Sequence, residues 1–192
     1  MRENMKIALV LLAAGDSRRF GSNKLLADVD GKPMYRHLAD ELAALPGELF
    51  CRKLVVSQYP EILADLKACG YEAILNKESH LGISHSIHLA VEAMDGQEDA
   101  VCFAVCDQPY LRGSTVKRLL AEWKASGRGL GCLCHGAEDG NPAVFARRYE
   151  RELLALTGDV GGKRVIRRFL EDLYRCEVSD KRELTDIDRP LS

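Results

Sequence analysis

The chain has 192 residues, 46% of them hydrophobic, and 27 basic against 29 acidic residues give a formal net charge of -2. That length buries one substantial core and is short for two, so residues 1–192 are expected to form a single domain. The near-neutral charge excludes a general attraction to nucleic acid or to an anionic membrane, and any polyanion must be held locally.

In chain order, the first element is the apolar run Ile7 to Leu12, which predicts a strand buried on both faces. Arg2 and Lys6 precede it, but the run is too short for a secretory signal or a membrane span. It empties into L-A-A-G-D-S-R-R-F-G-S-N-K, Leu12 to Lys24. A strand that opens into a glycine-containing turn and ends in basic residues brings backbone N–H groups close to an anion. The loop has neither the Gly-Lys-Ser/Thr ending of a P-loop nor the glycine spacing of a dinucleotide fingerprint. Its pattern is A-A-G-x-S-x-R-x-G-x-x-K. Arg19 offers a planar fork and Lys24 a compact charge, together suited to a triphosphate.

Further strands are predicted at Lys53 to Ser57, Ala73 to Leu75, Ala100 to Cys106 and Leu130 to Cys134. Helical faces are carried by Met34, Leu38, Leu42 and Leu45, by Ile62, Leu63 and Leu66, and by Ile87, Ala90, Val91 and Met94. Val116, Leu119, Leu120 and Trp123 form another, as do Val165, Ile166, Phe169 and Leu173, with a further helix over Arg148 to Leu156. Strand and helix alternate throughout, which implies a mainly parallel sheet covered on both faces, an α/β three-layer Rossmann-like sandwich. Ligands in such sheets sit at the carboxyl ends of the strands. Attention therefore falls on Asp107, which follows Ala100 to Cys106 and precedes Gln108 and Pro109. A carboxylate there either caps a turn or holds a cation. Asp186-Ile187-Asp188 places two alternating carboxylates near the C-terminus, either solvated or directed at one ion.

Gly82 to Ile87 (G-I-S-H-S-I) opens a helix with small hydroxyl residues after Asn76. Gly140 to Phe145 (G-N-P-A-V-F) and Gly158 to Lys163 (G-D-V-G-G-K) are expected to be loops flanking the helix Arg148 to Leu156, the second able to cradle a phosphate. His80, His85 and His88 lack an anchoring carboxylate at metal-ligand spacing, and Cys132-Leu133-Cys134-His135 has no second ligand cluster. Seven cysteines in mostly apolar settings are those of a reducing, cytoplasmic protein.

Residues 12 to 24, the C-D-Q-P segment at Cys106 to Pro109 and D-I-D-R-P at Asp186 to Pro190 resemble the molybdenum cofactor nucleotidyltransferases. Ala14, where the guanylyltransferase branch usually has glycine, points to the cytidylyltransferase branch. The resemblance implies a fold of the nucleotide-diphospho-sugar transferase type and transfer of CMP from CTP to molybdopterin with release of pyrophosphate. It implies catalytic roles for Arg19, Lys24 and Asp107. It places nucleotide at Leu12, Ala13, Ala14, Gly15, Ser17, Gly21, Asn76, Gly82 and Ser86, and Mg²⁺, with Mn²⁺ as the alternative, on Asp107 and Asp188. The acceptor falls to Gly140, Pro142, Gly158, Asp159 and Gly161. A molybdenum hydroxylase apoenzyme is the implied recipient of the product. Phe20 and Arg189 depart from the family's usual methionine and threonine. A sugar or polyol phosphate acceptor is the alternative within enzymes, and a non-catalytic cofactor carrier the alternative outside them.

Overall fold

The structure is a computed structural model that describes residues 5–15 and 23–187. Its first strand, β1 (Ile7–Leu12), is buried along its whole length, as a central strand covered on both faces must be. A two-residue hairpin, β2 (Asp28–Val29) with β3 (Lys32–Pro33), leads into α1 (Met34–Ala43). The turn between them uses Asp30 and Gly31, both at positive φ, the requirement of a tight hairpin of this kind. There follow β4 (Arg52–Ser57), α2 (Pro60–Ala68), β5 (Glu72–Leu75), α3 (Ile83–Glu92), β6 (Ala100–Val105) and α4 (Gly113–Ser126). Then come β7 (Leu130–His135), β8 (Glu138–Ala146), α5 (Glu150–Leu154), α6 (Lys163–Arg168) and β9 (Leu173–Glu177).

The seven-stranded sheet has the order β5-β4-β1-β6-β8-β7-β9. Strands β5, β4, β1 and β6 are parallel, β8 runs against both its neighbours, and β7 and β9 are again parallel to each other. Alternation along β1 divides the core. Ile7, Leu9 and Leu11 face the layer of α1, α2 and α4, with Trp123 fully buried there. Ala8, Val10 and Leu12 face α3, α5 and α6. The architecture is the expected three-layer α/β sandwich around a mainly parallel sheet. Among the described residues no helix is long and apolar enough to cross a membrane.

Three expected boundaries are corrected. The segment Gly140 to Phe145 is not a loop: it is the body of β8, paired through Phe103 with Ala143 and Cys102 with Val144. Its Asn141–Pro142 peptide is cis. Nor does Leu173 continue the last helix. Phe169 leaves helical geometry at φ -130 and ψ 47, and Leu173 begins β9 beside Leu130 of β7. The helix expected over Arg148 to Leu156 shortens to α5, entered by a 3-10 turn at Arg147–Tyr149.

Candidate active site

The loop after β1 leaves the sheet between β4 and β6. The Ala13 N–H donates to the Val56 carbonyl at 2.9 Å. Three consecutive side chains at the end of β4 then take three consecutive loop carbonyls: Ser57 Oγ bonds Ala13 at 2.7 Å, Gln58 Nε2 bonds Ala14 at 3.0 Å, and the Tyr59 hydroxyl bonds Gly15 at 3.3 Å. With their carbonyls drawn toward β4, the backbone amides of this turn are oriented by three side chains that sequence reasoning did not single out. The signal available for them was position: they directly follow a buried strand, at its carboxyl end. Leu12, Ala13 and Ala14 are buried. Gly15 is exposed, and a Cβ built there meets nothing within 4 Å among the described residues. Ser17, Arg19 and Gly21 lie outside the described residues.

Lys24 begins a 3-10 turn, Lys24–Leu26, whose N-cap Asn23 accepts from the Leu25 N–H at 3.1 Å. From there Lys24 Nζ reaches Asp107 Oδ2 at 2.8 Å, both side chains being mostly buried at 14% and 23% exposure. The two residues are 83 positions apart in sequence. Asp107 is placed by β6, whose end is tied to β1 by the Cys106 N–H on the Leu12 carbonyl at 3.2 Å. The other carboxylate oxygen, Oδ1, is buried with no hydrogen-bond partner among the described residues. A buried carboxylate oxygen without a donor is costly unless a cation compensates it. One oxygen already holding an ammonium and the other still unsatisfied make a donor set that fits a hard divalent cation.

The C-terminal segment arrives at the same place. The Ile187 N–H donates to the Asp107 carbonyl at 3.0 Å, and Gln108 Nε2 donates to Asp186 Oδ1 at 2.8 Å. The second Gln108 bond, to the Leu184 carbonyl, is longer at 3.4 Å. Asp188 lies outside the described residues.

The remaining wall joins residues that the sequence reading had assigned to separate ligands. Gly82 stands at φ 91 and ψ -179 at the start of α3. A Cβ there would lie 2.4 Å from the backbone C and O of Gly158 and 2.7 Å from the Asp159 N. The Ser84 N–H donates to the Gly158 carbonyl at 3.3 Å, and a Cβ on Gly161 would touch Ile83 at 3.6 Å. The 158–161 loop therefore seats directly on the N-terminus of α3. Asn76 and Ser86 are also together, with Asn76 Nδ2 donating to Ser86 Oγ at 2.9 Å. Both are buried, and Asn76 Oδ1 accepts from the Glu78 N–H at 2.9 Å, so in the ligand-free chain they brace the approach to α3. Gly140 packs against Leu184, whose side chain a Cβ would meet at 3.0 Å, and Pro142 follows it in β8.

Among the described residues no three His, Cys, Asp or Glu side chains converge as a metal cluster. His85 Nε2 is 3.7 Å from Glu78, and all seven cysteines are unpaired thiols.

A doubly wound sheet with a turn after its first strand, and a carboxylate at the end of its fourth parallel strand, defines an α/β domain whose candidate site lies at the carboxyl ends of its strands. The chain belongs to the MobA-like NTP transferase domain family, which its residues 9–174 match. It is 35% identical over 122 residues to a 3-deoxy-manno-octulosonate cytidylyltransferase of Brucella anthropi, covering 62% of this chain and 47% of that one. The chain thus spans about half the length of the curated relatives it matches. Among solved structures, a nucleotidyl transferase of Methanothermobacter superposes with a TM-score of 0.79 at 23% identity, over 96% of this chain and 92% of that one. A protein of Mycobacterium sp. strain JC1 does so equally well, with a TM-score of 0.79 at 24% identity, over 95% and 90%.

Proposed function

We propose that the chain is a nucleotidyltransferase that moves CMP from CTP to molybdopterin, releasing pyrophosphate and giving molybdopterin cytosine dinucleotide. The observation that carries the reading is the Lys24–Asp107 pair at 2.8 Å, set beside the turn at Ala13 to Gly15. An ammonium and a carboxylate beside that turn would suit the reacting phosphates of a triphosphate held there, which supports the reading. Family membership supports nucleotidyl transfer, and the match to a cytidylyltransferase over 122 residues supports CTP as donor.

In this reading the amides of the 12–15 turn hold the phosphates, with Ser17 and Gly21 continuing the cradle. Arg19 and Lys24 hold the triphosphate and offset the charge that develops on departing pyrophosphate. Gly82, with Asn76 and Ser86 behind it, forms the nucleobase wall. Gly140, Pro142, Gly158, Asp159 and Gly161 line the acceptor side. Asp107 together with Asp188 would hold Mg²⁺ or Mn²⁺, which when bound supplies screening between the anionic acceptor and the triphosphate. An acceptor phosphate is already ionised at neutral pH, so no general base is required. A molybdenum hydroxylase apoenzyme is the proposed recipient of the product, and the cytoplasm the proposed compartment.

The identity to an octulosonate cytidylyltransferase favours a second reading, in which the acceptor is a sugar acid or a sugar phosphate. Pyrophosphate release from each nucleoside triphosphate, with Mg²⁺ and a panel of acceptors, separates the two. Release from CTP only with molybdopterin, abolished by Asp107→Asn, is the expected result. Release with a sugar acceptor selects the second reading. Tight CTP binding with no turnover on any acceptor refutes both and leaves a cofactor carrier.

A further inference from the structure

We propose that Lys24 is a gate on Asp107: in the nucleotide-free chain its ammonium closes this carboxylate to divalent cations, and nucleotide binding opens it. The inference rests on the function proposed above and concerns the order in which the site is loaded.

The two oxygens of Asp107 are not equivalent. Oδ1 is buried away from the surface, so a cation arriving from the cleft meets Oδ2. That oxygen is already held by Lys24 Nζ at 2.8 Å, whose positive charge repels a cation before it can form a metal bond of about 2.0–2.6 Å to the same atom. At 14% and 23% exposure the pair is only weakly screened by solvent salt. Lys24 also cannot simply leave, because the Asp107 carboxylate would remain mostly out of water without its cation.

What releases it is a competing anion within reach of the same side chain. Lys24 Nζ is held at Asp107, and the neighbouring Cys106 N–H bonds the Leu12 carbonyl at the root of the 12–15 loop at 3.2 Å, so a triphosphate cradled by that loop would present its oxygens to the ammonium. Once Lys24 turns to phosphate, Oδ2 is uncovered beside the unsatisfied Oδ1. By linkage, metal and nucleotide must then favour each other's binding by the same factor. The arrangement keeps the site from holding a divalent cation before a nucleotide is present.

The test titrates the intact, nucleotide-free chain with Mn²⁺ alone, following free Mn²⁺ by electron paramagnetic resonance, with thermal melts to show that each variant is folded. Lys24→Met is expected to bind one Mn²⁺ at least tenfold more tightly than the unmodified chain, with Lys24→Gln as a second version of the same change. Adding Asp107→Asn to either must abolish the gain. Equal or weaker Mn²⁺ binding by both Lys24 variants overturns the gate, as does a gain that survives Asp107→Asn. Because nucleotide and acceptor are absent, the result is independent of pyrophosphate release. A gain in a protein that transfers no nucleotide keeps the gate and sinks the transfer reading, and turnover without a gain does the reverse.

Discussion

Gly82→Ala tests whether the 158–161 loop is held by contact with the start of α3. The backbone there, φ 91 and ψ -179, lies in a region that only glycine occupies readily, and placing alanine in it costs about 1–3 kcal/mol. The new Cβ would stand 2.4 Å from the Gly158 C and O and 2.7 Å from the Asp159 N. All three are backbone atoms, so no side-chain rotation relieves the clash and the loop itself must move. Moving it gives up the Ser84 N–H bond to the Gly158 carbonyl, a further loss of about 1 kcal/mol. Together these come to about 2–4 kcal/mol, and for a chain of this size each kcal/mol lowers Tm by about 2–4 °C. The expected fall is therefore about 4–16 °C. Gly127→Ala is the control, since Gly127 also has positive φ, at 71°, but a Cβ there meets nothing within 4 Å. It carries the conformational strain alone, about 1 kcal/mol, and a fall of about 2–4 °C. Calorimetry on the two variants reads the difference directly. Equal falls would refute the packing argument, because they would mean that the loop yields at no cost.

Gln108→Ala removes the bonds to Asp186 and the Leu184 carbonyl and should destabilise the attachment of the C-terminal segment by about 1–3 kcal/mol. Trypsin should then cut faster at Lys181 and Arg182 than in the unmodified chain, and an unchanged rate would show that the segment is held by other contacts. Thiol reagents at pH 8 should modify Cys51 and Cys69, which are exposed, and spare the other five until the chain unfolds. Burial pushes the Cys102 and Cys132 thiols up to about 12 and Cys134 to about 11, so steric and electrostatic protection act together, and more than two rapid thiols in native protein would contradict the core. Burial alone would raise the carboxyl of Asp172, but hydrogen bonds from Tyr149, Arg148 and the Gly129 N–H outweigh it and hold the group below its ordinary 3.8. A depressed folded value contributes stability that is present above 3.8 and is lost as pH falls through the folded value. Asp172→Asn should thus lower Tm near neutrality and flatten its decline in acid, whereas parallel curves for the two proteins would exclude Asp172 as a source of acid sensitivity.

The parallel half of the fold was legible because its strands are buried on both faces. Runs such as Ile7 to Leu12 and Ala100 to Val105 have no polar interruption, and the helices between them carry their apolar residues on one side. The second half was harder to read for identifiable reasons. In β8 the residues Gly140, Asn141 and Pro142 are turn formers in isolation, yet they sit at the beginning of a strand that pairs through Ala143 to Ala146, where a missing N–H is tolerated. In β9, Leu173 extends the helical spacing begun at Val165, and only its pairing with Leu130 of β7 shows that the helix has ended. The candidate site was legible to the extent that Lys24 and Asp107, singled out by chemistry and position, are brought together by the fold. It was illegible where the role is to hold another residue's backbone: nothing in Ser57, Gln58 or Tyr59 as residue types announces three successive bonds to a loop 44 positions away.

The reversal of β8 also explains how one end of the sheet gathers so many segments. A strand parallel to β6 would bring its last residues to the Asp107 end. Because β8 runs the other way, its first residues are there instead, and Gly140 comes against Leu184. The Leu184 carbonyl in turn accepts from Gln108, next in sequence to Asp107. The start of β8, the C-terminal segment and the end of β6 therefore support one another at the Asp107 end of the sheet. An alanine at Gly140 would press its Cβ to within 3.0 Å of both Leu184 methyl carbons, displacing a segment whose next bond is to the residue beside Asp107. The consequence is a substitution that acts on the Asp107 carboxylate through Leu184 and Gln108 without touching it, since the antiparallel strand and the C-terminal segment meet at that one end of the sheet.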